Sequence, residues 1–104
     1  MEADGVKYSR FSDFYPFYLS QHSDRTCRRL HFAGTTLGFA ALLCAAWTLD
    51  ARWILAGLVA GYAFAWVGHF FFEKNRPATF TYPLYSLIGD WVMWGEMVSG
   101  RMKF

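Results

Sequence analysis

Charge is what this chain lacks. Only 17% of its 104 residues are charged, where a water-soluble domain usually carries about a quarter. Two windows hold no Asp, Glu, Lys or Arg at all: residues 30–49, LHFAGTTLGFAALLCAAWTL, and residues 53–72, WILAGLVAGYAFAWVGHFFF. Cysteine is scarce as well, with Cys27 and Cys44 alone. One helix carries both and holds them too far apart to bridge, which excludes a disulfide scaffold and leaves two free structural thiols. A net charge of +2 excludes the basic footprint of a nucleic-acid binder. Nor is there any internal repeat or low-complexity tract. Aromatic residues, by contrast, make up 21% of the chain, too many for a disordered segment. The length allows one domain.

Each uncharged window, as a helix rising ~1.5 Å per residue, covers ~30 Å, the thickness of a bilayer's hydrocarbon core. A soluble bundle would have to cover both helices with polar sequence, and this chain has too little left. The mean hydropathy of +0.15 conceals the pattern by averaging spans with polar flanks. The first window starts too late for a cleaved secretory signal, and a second follows at once. Asp50, Ala51 and Arg52 alone join the windows, so the helices return antiparallel. Lys7, Arg10, Arg25, Arg28, Arg29, Lys74, Arg76, Arg101 and Lys103 all lie on the other side. Positive charge stays in the cytoplasm, which places both termini there, in a bacterial inner membrane or an endoplasmic reticulum membrane.

The expected fold is all-α: an integral membrane protein with a two-helix transmembrane hairpin flanked by interfacial helices. After a polar start at residues 1–10, Ser12 or Asp13 caps an interfacial helix over 12–22, with Pro16 in its first turn and Phe14, Phe17 and Tyr18 turned to the headgroups. Ser23 or Asp24 caps the first spanning helix, 24–49, and the second covers 52–74. Pro77 and Pro83 break the following segment into loop. Residues 82–98 are apolar but interrupted by Asp90 and Glu96, whose charges are costly at mid-bilayer. They form an interfacial or partly inserted helix with an apolar face of Leu84, Leu87, Ile88 and Trp91.

Small residues mark one face of each span: Gly34, Gly38, Ala41 and Ala45 on the first, Gly57, Gly61, Ala65 and Gly68 on the second. Such seams let membrane helices approach closely. Antiparallel pairing sets Ala45 near Gly57, Ala41 near Gly61 and Gly34 near Gly68, while homodimer packing is the competing use of the same seams. His31 extends the first seam and His69 the second. Each lies ~26–28 Å from the turn, so the two meet near the cytoplasmic surface, with Glu73 one turn beyond His69. His22, the third histidine, folds over the hairpin mouth if the first helix turns back.

Singly, these residues have plain readings: His22 faces headgroups, and His31 and His69 hydrogen-bond each other or a lipid phosphate. Together, three neutral imidazoles are a ligand set for iron, copper or zinc that leaves positions open. Glu73 and Asp90 are candidates to complete the metal shell or to orient the imidazoles.

The segments YLSQHSDRTCRRLHFAGT and GHFFFEKNRPATFTYPLYSLIGDW resemble a membrane family of 2-hydroxy fatty acid dioxygenases, found in fungal phytosphingosine breakdown and in bacteria, over residues 12–104. The resemblance places the family's motif histidines on His22, His31 and His69, followed by Glu73, Pro77 and Ala78, with Asp90 in its GDW-like stretch. Relatives often carry Asn in place of Cys27, and bacterial ones often a further His in place of Asp24; if that His is a ligand, a carboxylate oxygen of Asp24 would have to replace it.

The resemblance implies an Fe(II) cofactor and α-oxidation. O2 attacks a long-chain 2-hydroxy fatty acid, the carboxyl carbon is released, and a fatty acid one carbon shorter remains. The partners implied are the lipid bilayer, the fatty acid and O2, with a homo-oligomer left open. Arg25, Arg28, Arg29, Lys74 and Arg76 lie at the level of a carboxylate, Arg25 or Arg76 being chosen for substrate; anchoring to anionic lipid is the alternative use of all five. Two other functions compete: a haem protein with His31 and His69 as axial ligands, and a non-enzymatic small membrane module. Close Gly–Ala packing leaves little room for a macrocycle, and the apolar span centres offer no transport path.

Overall fold

The computed structural model describes residues 7–104, so most of the polar start expected at residues 1–10 lies outside the described residues. Helix α1 covers Phe11–Ser20, α2 Arg25–Thr48, α3 Arg52–Val67 and α4 Pro83–Val98. The α3 helix continues as a π-helical turn over Gly68–Glu73, and a 3-10 turn, Ala78–Phe80, precedes α4. No strand occurs among the described residues. Arg25–Thr48 and Arg52–Glu73 are each long and apolar enough to cross a membrane.

The α1 helix starts one residue before its expected cap. Arg10 occupies the cap position without a side-chain hydrogen bond, and its guanidinium instead pairs with Asp13 (Nε–Oδ2 3.2 Å), which puts a carboxylate where the helix dipole favours one. Pro16 consequently falls in the second turn. The expected orientation of this helix is also corrected. Phe14 and Tyr18 are fully buried and pack with Ala78, Met93 and Met97, so they face α4 and not headgroups. Two large rings gain more from a dry protein surface on all sides than from a half-wet interface. The matching face of α4 is Ser86, Gly89, Met93 and Met97. Leu84 and Ile88 are exposed, while Leu87 and Trp91 are part-buried over the α2–α3 hairpin, so the expected apolar face is split.

Asp24 caps α2 by accepting from the Cys27 N–H at 2.9 Å, which decides between the two candidates. Helices α2 and α3 do pack through glycine, but in another register. A Cβ on Gly34 would lie 3.0 Å from the Gly61 carbonyl oxygen, one on Gly57 2.9 Å from Ala41 Cβ, and one on Gly68 3.1 Å from Cys27 Sγ. Gly34 therefore meets Gly61 and not Gly68, and Gly57 meets Ala41 and not Ala45. Equal counting from the turn assumes that both helices begin level. Instead the end of α2 overhangs the start of α3, leaving Trp47 90% and Leu49 91% exposed. Leu49 ends α2 in the left-handed conformation (φ 56°), and Arg52 closes the turn on Asp50 through a 2.7 Å contact.

A methyl group forced against backbone at the crossing is expected to cost about 1–3 kcal/mol. Gly34→Ala should lower thermal stability in detergent accordingly. Gly95, in α4, has nothing within 4 Å of an added Cβ, so Gly95→Ala should gain up to about 1 kcal/mol from helix propensity. Equal effects of the two substitutions would refute the close crossing.

Candidate metal centre

Three separate elements deliver the histidines. His22 sits in the turn between α1 and α2, where its N–H bonds the Leu19 carbonyl at 3.0 Å. Its own carbonyl accepts from Arg28 Nη1 at 3.1 Å. His31 lies two turns into α2, and His69 in the π-helical turn that extends α3. That turn is fastened to the α1–α2 junction by Glu73, whose carboxylate accepts from Ser23 Oγ at 2.5 Å and from the Asp24 N–H at 2.7 Å. All three imidazoles are buried, at 2%, 4% and 2% exposure for His22, His31 and His69.

The proton on each ring is fixed by its neighbours. His22 Nδ1 lies 2.6 Å from the Tyr18 carbonyl oxygen, His31 Nδ1 2.9 Å from the Cys27 carbonyl, and His69 Nδ1 2.7 Å from Asn75 Oδ1. The Asn75 amide is itself oriented, since its Nδ2 donates to the Gln21 carbonyl at 3.0 Å. All three partners are acceptors, so each Nδ1 carries the hydrogen and each Nε2 is left with a lone pair. Those nitrogens converge: candidate ligand atoms of the three residues lie within 4.8 Å of one another, and His22 Nε2 is 3.0 Å from His31 Nε2. Two lone pairs at that distance repel. Two imidazole nitrogens each ~2.1 Å from one cation, at roughly right angles, are about 3 Å apart, so the spacing suits a shared metal. Acceptors holding the far side of each ring are the usual support of a ligating histidine.

Burial, with His31 and His69 close by, holds His22 well below the usual histidine range, so it is neutral and able to ligate at neutral pH. The Tyr18 ring stacks on His22 with centroids 4.1 Å apart and lies against Gly89 of α4. Its hydroxyl donates to Asp90. Burial pushes Asp90 up to about 7, while burial and the adjacent Asp90 push Tyr18 well above the phenol range. A small cavity opens between the three histidines, Asp90, Trp66 and Ser86. Here Ser86 Oγ and Trp66 Nε1 are buried without a hydrogen-bond partner. Unmatched buried polar atoms cost stability, and both residues line the same cavity as the three histidines. The donor set and the orphaned atoms both fit a resident cation with an oxygen-bearing substrate.

The structure thus brings His22, His31 and His69 together, sets Asp90 on the wall of their cavity and leaves the other sequence candidates outside it. Both Glu73 oxygens are occupied at the α1–α2 turn. The sequence expectation set Glu73 on the His69 face, which holds for four residues of α-helix. In the wider π-helical turn the same four residues fall short of a full turn and Glu73 swings to the junction. Asp24 is committed to its cap. Asp90 lines the cavity. Arg25 is exposed, and Arg76 lies over the Phe80 ring, 5.2 Å from its centroid; neither lines the histidine cavity. The centroids of His31 and His69 are 4.8 Å apart, with His22 edge-on to both, which leaves no plane for a porphyrin between them. Asn75, Ser86, Trp66 and Tyr18 were not singled out as site residues by the sequence. The spacing of Asn75 six residues after His69 carries no signal without knowledge of the π-turn.

A family model described as 2-hydroxy-palmitic acid dioxygenase Mpo1-like matches residues 8–102. No curated protein and no solved structure matches the chain.

The raised Asp90 has a consequence for stability against pH. A folded pKa above the ordinary 3.8 means that the Asp90 contribution is fully present below about pH 4 and is lost as pH rises through about 7. Thermal unfolding of the wild type and Asp90→Asn should therefore diverge on going from about pH 5 to about pH 8, the wild type losing stability relative to the variant. Parallel curves would show that Asp90 titrates normally.

Proposed function

The chain belongs to the Mpo1-like family, and on that premise we propose that it is an Fe(II)-dependent dioxygenase that shortens 2-hydroxy fatty acids by one carbon. The observation that carries this reading is the convergence of three buried, Nδ1-protonated histidines on one point. His22, His31 and His69 would hold the iron through Nε2. When bound, a three-histidine iron supplies open positions for O2 and for a chelating substrate. Ser86 Oγ and the Trp66 indole N–H orient the carboxylate or the 2-hydroxyl by donating to its oxygens. Asp90, part-protonated near neutral pH, is suited to accept the hydroxyl proton. Glu73 acts as a positioning residue, holding the His69 turn against the His22 turn. Arg25 and Arg76, exposed near the same end, attract the anionic acid toward the surface without entering the cavity.

The protein is further read as membrane-embedded, with both termini cytoplasmic. Only 17% and 22% of the apolar windows of the two long helices are buried within the protein. Leu43, Leu55, Val59 and Phe71 are among the exposed apolar side chains, an uncovered surface far larger than soluble monomers tolerate. Arg52, the one cation at the turn, is neutralised by Asp50, so the hairpin tip crosses with little net charge. A substrate then reaches the histidines from the membrane without its acyl chain crossing water.

Protein purified anaerobically should contain iron. With O2 and 2-hydroxyhexadecanoic acid it should release the fatty acid one carbon shorter, and absence of that product would defeat the enzymatic reading. His31→Ala and His69→Ala should each lose the metal. Ser86→Ala should keep it but lower kcat/KM about tenfold to a hundredfold, as expected for one hydrogen bond to a charged group; unchanged kinetics would remove Ser86 from the site.

A further inference from the structure

A second cavity lies beside the histidines. A groove of about 220 Å³ runs along the α2–α3 seam under α4. Its polar end is formed by His31 and Asp90, both of which also line the histidine cavity, so the two spaces adjoin. Its far end is Leu42 and Ile54, deep in the hairpin. The distance along α2 from His31 to Leu42 is about 16 Å at ~1.5 Å per residue. That is about half of a ~30 Å hydrocarbon core, the depth one leaflet's acyl chain occupies.

The glycines along this groove are of two kinds. Close approach explains Gly34 and Gly57, where an added Cβ would meet its neighbour at 3.0 and 2.9 Å. It does not explain Gly38 and Gly61, where the nearest atom would be a carbonyl oxygen at 3.7 Å, an ordinary contact. Alanine would fit both positions and favour the helix by about 1 kcal/mol each. What glycine preserves there is the width of the groove, since both residues line it. A third observation lies at the head: Ser86 Oγ, 3% exposed, has no hydrogen-bond partner in the adjoining cavity.

We propose that the groove between α2, α3 and α4 is the binding site for the alkyl chain of a single fatty acid, kept open by Gly38 and Gly61, and that its depth sets the preferred chain length. The occupant is a lipid tail because the ionisable groups lie at the His31–Asp90 end, where a carboxylate would sit, and the walls beyond are mostly apolar, with Thr35 and Tyr62 the polar side chains on them. This inference rests on reading the histidine centre as the site that handles a 2-hydroxy acid. The groove adds that one long chain lies inside the protein, not free in the bilayer beside it.

The test uses the full chain, loaded with Fe(II) in detergent and kept free of O2, so that binding is read without turnover. Calorimetric titration with 2-hydroxyhexadecanoic and 2-hydroxyoctanoic acid gives Kd for a long and a short chain. The wild type should prefer the long acid strongly. Gly38→Val should weaken the long acid about tenfold or more, the effect of displacing about two methylenes from an apolar site, with the short acid and the iron content unchanged. Leu42→Trp, at a half-exposed position at the far end, gives a second variant that leaves the helix crossing alone and should act in the same direction. Wild-type length preference retained in both variants, or no length preference in the wild type, would overturn the groove. Admitting O2 afterwards separates the two claims. Length-selective binding without a shortened product leaves the groove standing and defeats the reaction. A shortened product formed with equal efficiency from both acids does the reverse.

Discussion

Three imidazole nitrogens bearing lone pairs, held close together in a buried cavity, repel one another unless something positive stands between them. Every ring is denied the easy escape of turning over, because its Nδ1–H is committed to an oxygen: Tyr18 carbonyl, Cys27 carbonyl or Asn75 Oδ1. Protonation is opposed as well, at His22 by burial and by its two neighbours. The fold therefore stores an electrostatic demand that a divalent cation satisfies. Much of the remaining structure serves to hold the parts of that demand in place. The Glu73 contacts join two turns, Arg28 braces the His22 carbonyl, and Tyr18 is wedged between His22 and Gly89.

The hairpin meets a second constraint, that of closeness. Where α2 and α3 touch at Gly34 and Gly57, backbone approaches backbone without side chains between, which suits association in lipid, where packing and not water drives helix contact. The same helices diverge enough beside the contact to leave a groove under α4. Close crossing and open groove arise from one seam of small residues, read on two adjacent faces. An iron centre at the groove's polar end would join oxygen chemistry to an apolar chain without drawing that chain through water.

Much of the fold was legible in the sequence. The uncharged windows gave the two long helices, and the three-residue Asp50–Arg52 link gave their antiparallel return. His31 and His69 were legible because they extend the small-residue seams, a pattern of spacing alone, whereas His22 depended on the first helix turning back over the hairpin mouth. What escaped was whatever depended on offsets of less than one helical turn. The overhang at Leu49 shifted the glycine pairing, and the π-turn at Gly68–Glu73 rotated Glu73 out of the cluster. The role of α1 was misjudged for a different reason. An aromatic face at helical spacing reads alike whether it meets a membrane surface or another helix, and only the existence of the α4 face of Ser86, Gly89, Met93 and Met97 decides between them. Asn75, Ser86 and Trp66 belong to the site by tertiary position, which no local pattern reports.

The central claim is that Nε2 of His22, His31 and His69 binds one metal ion. X-ray absorption at the iron edge of the Fe(II)-loaded chain addresses it directly, because the outer-shell scattering of imidazole carbons counts histidine ligands. The account predicts three imidazoles on one iron, falling to two or to loss of the metal when any one of the three is replaced. A spectrum fitted by oxygen ligands alone, or by a single imidazole unaffected by His22→Ala, would contradict it.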